Sequence, residues 1–583
     1  MHGRARLELT VAMNWVTIPG PSAAAHLFPR SLMRTAGAIT WLMLGWTALN
    51  TGCTTERPCS GPCGTIVVNV TGSPEAVLPV FTTSVNAQAV SELLFLPLAE
   101  IGDDLNFVGD DGFEPRVARS WAFEDSVTIV FALDPRATWQ DGERVTARDV
   151  VFTYDLYRDP VVNSQARDDI ASIIAVEARD ERTVAFTFSH PYPHQFYDAN
   201  YHMRIHPAHL LDTIPREALR SHELSRAPVG NGPYRLGRWD VNSTVELIAD
   251  PDFFLGVPGL ARIIVQVVPD LNTTVSQLIA EETDFTDFLG GPDNVERVRR
   301  APHVEVMGFP SAAYAFVAFN FRDPRSRSKP HSLFGNRNIR LAITQALDRE
   351  AIAEATVGEF GAVPSGPVSR ANVIWKYAVP AIPFDTVRAR EILESEGWTA
   401  TDAQGYRVRN GQRLSFRLLV PTSSGLRRQA AIIMESQLRA VGVEMLIEEL
   451  EFNAWQERSQ RGLFDATFVI SAQGPNPAGA IGGGWSSKGV RNWGRYSNST
   501  FDSLLSAAGR IADPARNRAA WTEALRVLQQ DVPAVWVLAP AQAAGVHDRL
   551  QDVFIRPDHW GATMWRWHVN ADRMLPRDRV GIP

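Results

Sequence analysis

The sequence predicts an α/β protein with mixed sheets, and three observations carry that expectation. Segments of strand-like and helix-like periodicity alternate along the chain. One stretch forms a complete β-α-β unit. The 583 residues also exceed what one simple core holds, so roughly two or three domains are expected. Taken in order, residues 65–70 are a short apolar strand ended by Gly72-Ser73-Pro74. Residues 127–133 alternate as a half-buried strand does, Asp141-Gly142 is a turn signal, and Thr146 can cap a helix whose first turn carries Asp149. Residues 261–269 are β-rich, and residues 271–282 read as a helix. Ile339, Ala342, Ile343, Ala346 and Leu347 fall at the i, i+3, i+4, i+7, i+8 spacing of an amphipathic helix. Asp385 is placed to cap a helix over residues 386–396, with Gly397 just beyond its end. Residues 414–420, 426–441 and 443–450 then read as strand, helix and strand, a unit whose strands pair in parallel through a right-handed crossover.

The N-terminus points outside the cytoplasm. Arg34 is followed by the uncharged residues 35–49 and then by Asn50-Thr51-Gly52-Cys53. A basic residue, a short apolar core and a small residue before cysteine predict a secretory signal whose cleavage leaves Cys53 lipidated. The stretch is shorter than the ~20 apolar residues that span a bilayer. Met33 directly precedes Arg34, so residues 33–52 are the expected signal and residues 1–32 a candidate over-called start. Asn50 departs from the apolar residue usual three places before a lipidated cysteine. Residues 53–64 read as a tether; Cys59 and Cys63 within it either close a local disulfide or sit in a flexible linker, and two thiols are too few for a metal site.

Charge and motifs exclude several function classes. The formal net charge is −8, and because residues 1–52 hold four Arg and one Glu, the remainder carries −11. That acidic balance argues against nucleic acid or anionic lipid as the main partner. Lysine occurs only at 329, 376 and 488, so nearly all positive charge is arginine. No His-Glu-x-x-His pair, P-loop or Gly-x-Ser-x-Gly elbow occurs, and no internal repeat or second hydrophobic span. His190/His194 and His202/His206 are spaced i, i+4, but Pro191, Pro193 and Pro207 oppose a regular helix there. No catalytic residue, metal ligand or cofactor is therefore predicted. Trp121, Trp139 and Trp398 are assigned to the core, Asp348-Arg349 to a helix-end salt bridge, Arg340 to a solvated helix face, and Gly230 and Gly232 to a turn needing unusual backbone angles.

Specific blocks then recur in a recognisable order. Pro115, Ala118, Trp121, Trp139, Asp141, Gly142, Thr146, Ala147, Asp149, Val150 and Phe152 come first. Pro228-Val229-Gly230-Asn231-Gly232-Pro233-Tyr234 follows, with Pro251-Asp252-Phe253-Phe254 behind it. Asn320, Asn338-Ile339-Arg340, Ala346-Leu347-Asp348-Arg349, the segment 385–398, and Asn492 through Asn498 with Phe501-Asp502 complete the series. The chain so resembles the peptide/nickel-type (family 5) solute-binding proteins of ABC importers over nearly all of its length beyond residue 64. The resemblance implies a two-lobed fold of the periplasmic-binding-protein type II class, with an extra subdomain on the first lobe. Its expected divisions are 65–100 (first lobe), 101–205 (subdomain), 206–312 (first lobe), 313–535 (second lobe) and 536–583 (first lobe). Hinge crossings are expected near Asn320 and near residues 533–540.

The same resemblance implies a monomeric binding protein without cofactor, anchored by Cys53, that hands an oligopeptide or similar solute to permease subunits. Peptide binders of this family often carry a carboxylate shortly after a Phe-Asp-plus-strand segment. Here Phe464-Asp465 leads into Ser471-Ala472-Gln473-Gly474-Pro475-Asn476-Pro477, which contains none. Gln473 and Asn476 offer neutral amides instead, and Trp485 and Trp493 offer flat apolar faces. With Asn320 and Tyr496 these make the expected ligand-binding set, suited to a longer peptide held through its backbone or to a neutral oligosaccharide. A chelated metal, a lipid-anchored hydrolase and a receptor-like sensor are the other readings of the chain.

Overall fold

The computed structural model describes residues 62–377 and 379–579. The expected signal and Cys53 lie outside the described residues; Cys63 is disulfide-bonded. Among the described residues no helix is long and apolar enough to cross a membrane.

Two large mixed sheets make an α/β, two-lobed architecture. The first lobe is built on a seven-stranded sheet in the order Val304–Pro310, Ala541–His547, Phe285–Thr286, Thr65–Val70, Arg262–Val267, Thr244–Ala249, Tyr234–Asp240. The second is built on a five-stranded sheet in the order Glu444–Leu450, Ser415–Pro421, Ala466–Ala472, Ala313–Phe319, Ala534–Leu538. Ala118–Asp125, Thr128–Leu133, Thr183–Phe188 and Ile173–Ala178 form the antiparallel sheet of the subdomain. The chain passes between the two large sheets at residues 311–312 and 539–540, because Val304–Pro310 and Ala541–His547 pair in one sheet while Ala313–Phe319 and Ala534–Leu538 pair in the other. The first crossing, expected near Asn320, lies before it by the length of the strand Ala313–Phe319.

The local signals act through caps and parallel pairing. The Thr146 amide and hydroxyl both donate to Asp149 Oδ2 (2.8 and 3.0 Å), opening the helix Ala147–Arg158. Buried Asp149 also accepts from the Ala208 amide at 2.8 Å, so the cap fastens the helix to the start of the short helix Ala208–Leu211. Asp385 caps Thr386–Ser395, and Gly397 follows at φ +83°. Ser415–Pro421 and Glu444–Leu450 pair in parallel around the helix Gly425–Arg439.

Three expectations are corrected. Arg340 is not on a solvated face: it is 4% exposed and donates to the carbonyls of Phe334 (2.6 Å), Asp531 (2.7 Å) and Val532 (3.0 Å). The segment at 531–533 packs over this helix, and the guanidinium satisfies its carbonyls while lying 4.3 Å over the Phe321 ring. Asp348 and Arg349 do not pair. Asp348 caps Arg349–Val357 through the Ala351 amide (3.0 Å), and buried Arg349 donates to the carbonyls of Ile382 and Trp536. Gly230 and Gly232 do not take positive φ. They are needed for space, since a Cβ on Gly230 would stand 2.0 Å from the Leu94 carbonyl oxygen. The Asn231 and Gly232 amides both donate to that oxygen (3.1 and 2.9 Å), clamping the turn onto the helix Val85–Leu94 and the residues after it.

Trp139 and Trp398 are buried core residues, while half-buried Trp121 donates to Asp110 at 2.8 Å. At the floor of the first lobe, fully buried Arg549 joins Asp284 and Asp578 (2.7 Å each) and donates to the Thr65 carbonyl (2.7 Å), tying the C-terminal segment to the first strand.

Candidate functional site

A cavity of about 160 Å³ opens on the second lobe. One wall is the strand Ala313–Phe319, whose alternation places Tyr314, Phe316 and Ala318 on the cavity side. The opposite wall is the end of the helix Ala478–Trp485 and residues 491–496. Trp485 stands edge-on to Phe316 (5.1 Å, 61°) and to Trp536 (4.8 Å, 70°), and Tyr314 stacks on Phe316 at 5.4 Å. Burial pushes the Tyr314 hydroxyl up to about 12, so it stays protonated. The 491–496 turn is held from within: the Asn492 amide donates to the carbonyls of Ser486 (2.9 Å) and Tyr496 (2.7 Å). Gly494 lets the turn approach the strand, because a Cβ there would meet the Phe319 carbonyl oxygen at 2.3 Å. Arg491 is exposed at the rim and, among the described residues, makes no ion pair.

Three of the six expected ligand-binding residues converge here. Trp485, Trp493 and Tyr496 all line the cavity. Tyr496 is fixed by donating to Asp531 at 2.6 Å, and Trp493 meets Trp455 at 6.1 Å and 79°. The three amides are placed differently. Asn320 is buried, donating to the carbonyls of Gly462 (3.0 Å) and Phe464 (2.8 Å) and accepting from the Arg322 amide (3.0 Å). Gln473 is buried, donating to the Pro367 carbonyl (2.6 Å) and accepting from the Ser369 amide (2.9 Å). Asn476 accepts from the Ala478 amide at 3.1 Å, at the start of the helix that ends in Trp485. Tyr314, Phe316 and Arg491 were not expected at the site. The strict alternation of aromatics at 314 and 316 was the available signal; nothing marked Arg491.

A second, polar cavity of about 170 Å³ lies on the first lobe, between the helix Val85–Leu94 and residues 157–169 and 201–204. Behind it sits a buried ionic cluster. Arg204 pairs with Glu92, Arg556 pairs with Glu100 (2.8 Å) and Asp558 (2.7 Å), and His559 contacts Glu92 (3.0 Å) and Asp558 (3.1 Å). Burial alone would raise the Glu100 carboxyl, but Arg204, Arg556 and Arg116 hold it down at about 2. Burial would likewise lower His559, yet Asp558 and Glu92 carry it up to about 9. His194 and His202 flank Asp198 at 3.9 and 3.6 Å, and among the described residues no group of three or more His, Cys, Asp or Glu is placed to hold a metal ion.

Comparison with known proteins places this geometry in a family. The model of the bacterial extracellular solute-binding proteins, family 5, middle region, matches residues 112–492. The oligopeptide-binding protein AppA of Bacillus subtilis is 23% identical over 507 residues, covering 85% of this chain and 89% of that protein. Heme-binding protein A of Haemophilus influenzae is 23% identical over 462 residues, covering 74% and 79%. Among solved structures, AppA from Bacillus subtilis in complex with a nonapeptide superposes with a TM-score of 0.65 at 22% identity, over 87% of this chain and 99% of that one. NikZ from Campylobacter jejuni in complex with Ni(L-His) superposes with a TM-score of 0.67 at 20% identity, over 87% and 100%. These likenesses fix the fold, and the family match spans well over half of the sequence: the chain belongs to the bacterial extracellular solute-binding proteins of family 5.

Proposed function

We propose that the protein is the extracytoplasmic solute-binding component of an ABC importer, and that it encloses an oligopeptide between its lobes and presents it to permease subunits. The observation that carries this reading is the aromatic cavity on the second lobe. Concave sites with apolar walls and few polar groups are where small solutes are bound, and here Trp485, Trp493 and Tyr314 leave room for about one ring. A benzene-sized group fills an apolar cavity of ~150 Å³, so a single aromatic or large aliphatic side chain of the solute suits this one. Peptide binding by the AppA relative supports the choice of solute. In this reading residues 65–100, 206–310 and 541–583 form the first lobe, 101–205 its subdomain and 313–538 the second lobe, whose last strand Ala534–Leu538 runs three residues past the boundary expected at 535. The crossings at 311–312 and 539–540 are the hinges. Closure is a population shift limited by how much better the solute binds the closed state.

The test is calorimetry against free dipeptides, longer peptides and neutral oligosaccharides, with Trp493→Ala beside the wild type. Tight binding of longer peptides that Trp493→Ala weakens supports the reading; binding of oligosaccharide alone sinks it. Small-angle scattering should show compaction with any tight ligand, of a monomer. Acylation of Cys53 is the proposed anchor, and two acyl chains, at ~0.8 kcal/mol per buried CH₂, hold a protein on a membrane where one does not. Cys53→Ser should move the protein from the membrane to the soluble fraction; retention of the variant on the membrane refutes the anchor.

A further inference from the structure

Enclosing a solute requires contacts from both lobes, and the edge of the first lobe that faces the second can be located from strand register. Phe285–Thr286 runs parallel to Thr65–Val70 and antiparallel to Ala541–His547, with Thr286 opposite Asn69 and Gly545. The next residue, Asp287, is therefore level with Val70 and Ala544, and the Leu289 amide donates to the Ala543 carbonyl at 2.9 Å. Ala541–His547 begins directly after the 539–540 crossing. Three strand residues at ~3.3 Å each put Asp287 about 10 Å from that crossing. It stands at the carboxyl end of the parallel strands Thr65–Val70, Arg262–Val267 and Phe285–Thr286, the end at which open α/β sheets receive ligands.

Its chemistry is unlike that of its neighbours. Asp284, three residues earlier, is held by Arg549, Arg577 and the Val67 amide. Asp250 is held by Arg235, and Asp270 caps the helix Leu271–Ile279. Asp287 is half-buried, and among the described residues its carboxyl has no ion pair and no donor beyond its own backbone amide. Burial outweighs that single backbone hydrogen bond and pushes the group up to about 6. Phe288 beside it is 39% exposed, a large apolar side chain presented at the same edge. A carboxylate withdrawn from water without a partner is unfavourable and is most simply explained by a cation that arrives from outside.

We infer that Asp287 is the residue through which the first lobe recognises a positively charged group of the solute, an ammonium or a guanidinium, so that basic or free-amine peptides are preferred over neutral oligomers. This rests on the peptide-binding reading above and sharpens it. It supplies a carboxylate that the segment after Phe464-Asp465 lacks, and supplies it from the opposite lobe.

The experiment is calorimetry of the full-length protein and of Asp287→Asn with three matched oligopeptides: one with a free amino terminus, one N-acetylated without basic residues, and one N-acetylated with a single internal lysine. The wild type should bind at least one cationic peptide about tenfold or more tightly than the acetylated, lysine-free one, and Asp287→Asn should remove that preference. Whether the free terminus or the lysine loses its advantage identifies the source of the cation. A preference for cationic peptides that survives in Asp287→Asn, or no such preference in the wild type, overturns the inference while leaving the peptide reading standing. If none of the three binds the wild type, it is the peptide reading that fails, and this inference with it. Asp287→Asn should also melt no lower than the wild type, because it removes an unpartnered desolvated charge. A clear drop would reveal an internal partner and overturn the assignment equally.

Discussion

Replacing His559 by glutamine should make the protein's stability less sensitive to alkali, by an amount that follows from the cluster it sits in. Glu92, Glu100 and Asp558 face Arg204 and Arg556, with Arg116 also acting on Glu100, and the His559 imidazolium is the positive charge held between Glu92 and Asp558. Burial opposes that charge, but Asp558 and Glu92 outweigh it and raise the imidazole to about 9. A histidine in the unfolded chain titrates near 6.5. A folded-state value above the unfolded one means that the stabilisation is complete below about 6.5 and is lost as the pH rises through about 9. The gap of about 2.5 units, at 1.36 kcal/mol each, is worth about 3 kcal/mol. Urea unfolding of wild type and His559→Gln should therefore differ most at pH 6, and the difference should shrink by about 3 kcal/mol by pH 9.5. Taking the difference between the two proteins removes the titration of every other group. A gap of the same size at both pH values would refute the argument that His559 is charged in the folded state.

His206 should behave in the opposite sense. It is buried beside Phe95 with no carboxylate in contact, and burial pushes it down to about 3. Stability should fall as the pH drops below about 6.5, by up to ~1.4 kcal/mol per unit, and His206→Phe should flatten that acid limb of the unfolding profile. Gly230→Ala should destabilise by about 3 kcal/mol or more, since its Cβ has no room beside the Leu94 carbonyl; Gly142→Ala, with open space but φ +93°, should cost about 1 kcal/mol. Equal effects of the two in denaturant titrations would remove the distinction between space and backbone angle. Arg340→Met strips the donors from three carbonyls and should destabilise by about 3 kcal/mol, whereas an effect under about 0.5 kcal/mol would return Arg340 to the solvated face. Trp485→Ala should lower stability by about 3–5 kcal/mol as a core truncation, while half-buried Trp493→Ala should mainly weaken solute binding.

The elements that sequence made legible are those whose cause is local. The cap of Asp385 on its helix, the Thr146–Asp149 pair and the parallel strands around Gly425–Arg439 each follow from residues within a few positions of one another. The helix at 271–282 ends early, at Ile279, because Glu281 adopts φ +61°, a termination with no glycine to announce it. What was illegible depends on partners distant in sequence. Arg340 looks like a surface residue until the chain returns at 531–533 to lie over it. Gly230 looks like an angular requirement until the Leu94 carbonyl is set against it. Asp287 carries no motif at all, and only register places it level with Val70 and Ala544, a few residues from the 539–540 crossing.

The ligand-binding set divides along the same physical line. Asn320 and Gln473 each stand one residue past the end of a strand, after Ala313–Phe319 and Ala466–Ala472. Where a sheet ladder stops, backbone carbonyls and amides lose their partners and must find others. A short amide side chain offers both donor and acceptor at that place, and both residues are used so: Asn320 satisfies Gly462, Phe464 and Arg322, and Gln473 satisfies Pro367 and Ser369. Neutral amides near a cleft are thus ambiguous in sequence, because scaffold and ligand call for the same groups. Aromatics are less so, since Trp485, Trp493 and Tyr496 hydrogen-bond at most at one end and leave ring faces to line a cavity. Converting Gln473→Ala should therefore act on stability before affinity, by leaving the Pro367 and Ser369 backbone groups unpartnered at about 1–3 kcal/mol. Trp493→Ala should act on affinity first. Measuring melting temperature and dissociation constant on both variants decides it: a Gln473→Ala protein that melts like the wild type but no longer binds would restore the amide to the ligand site.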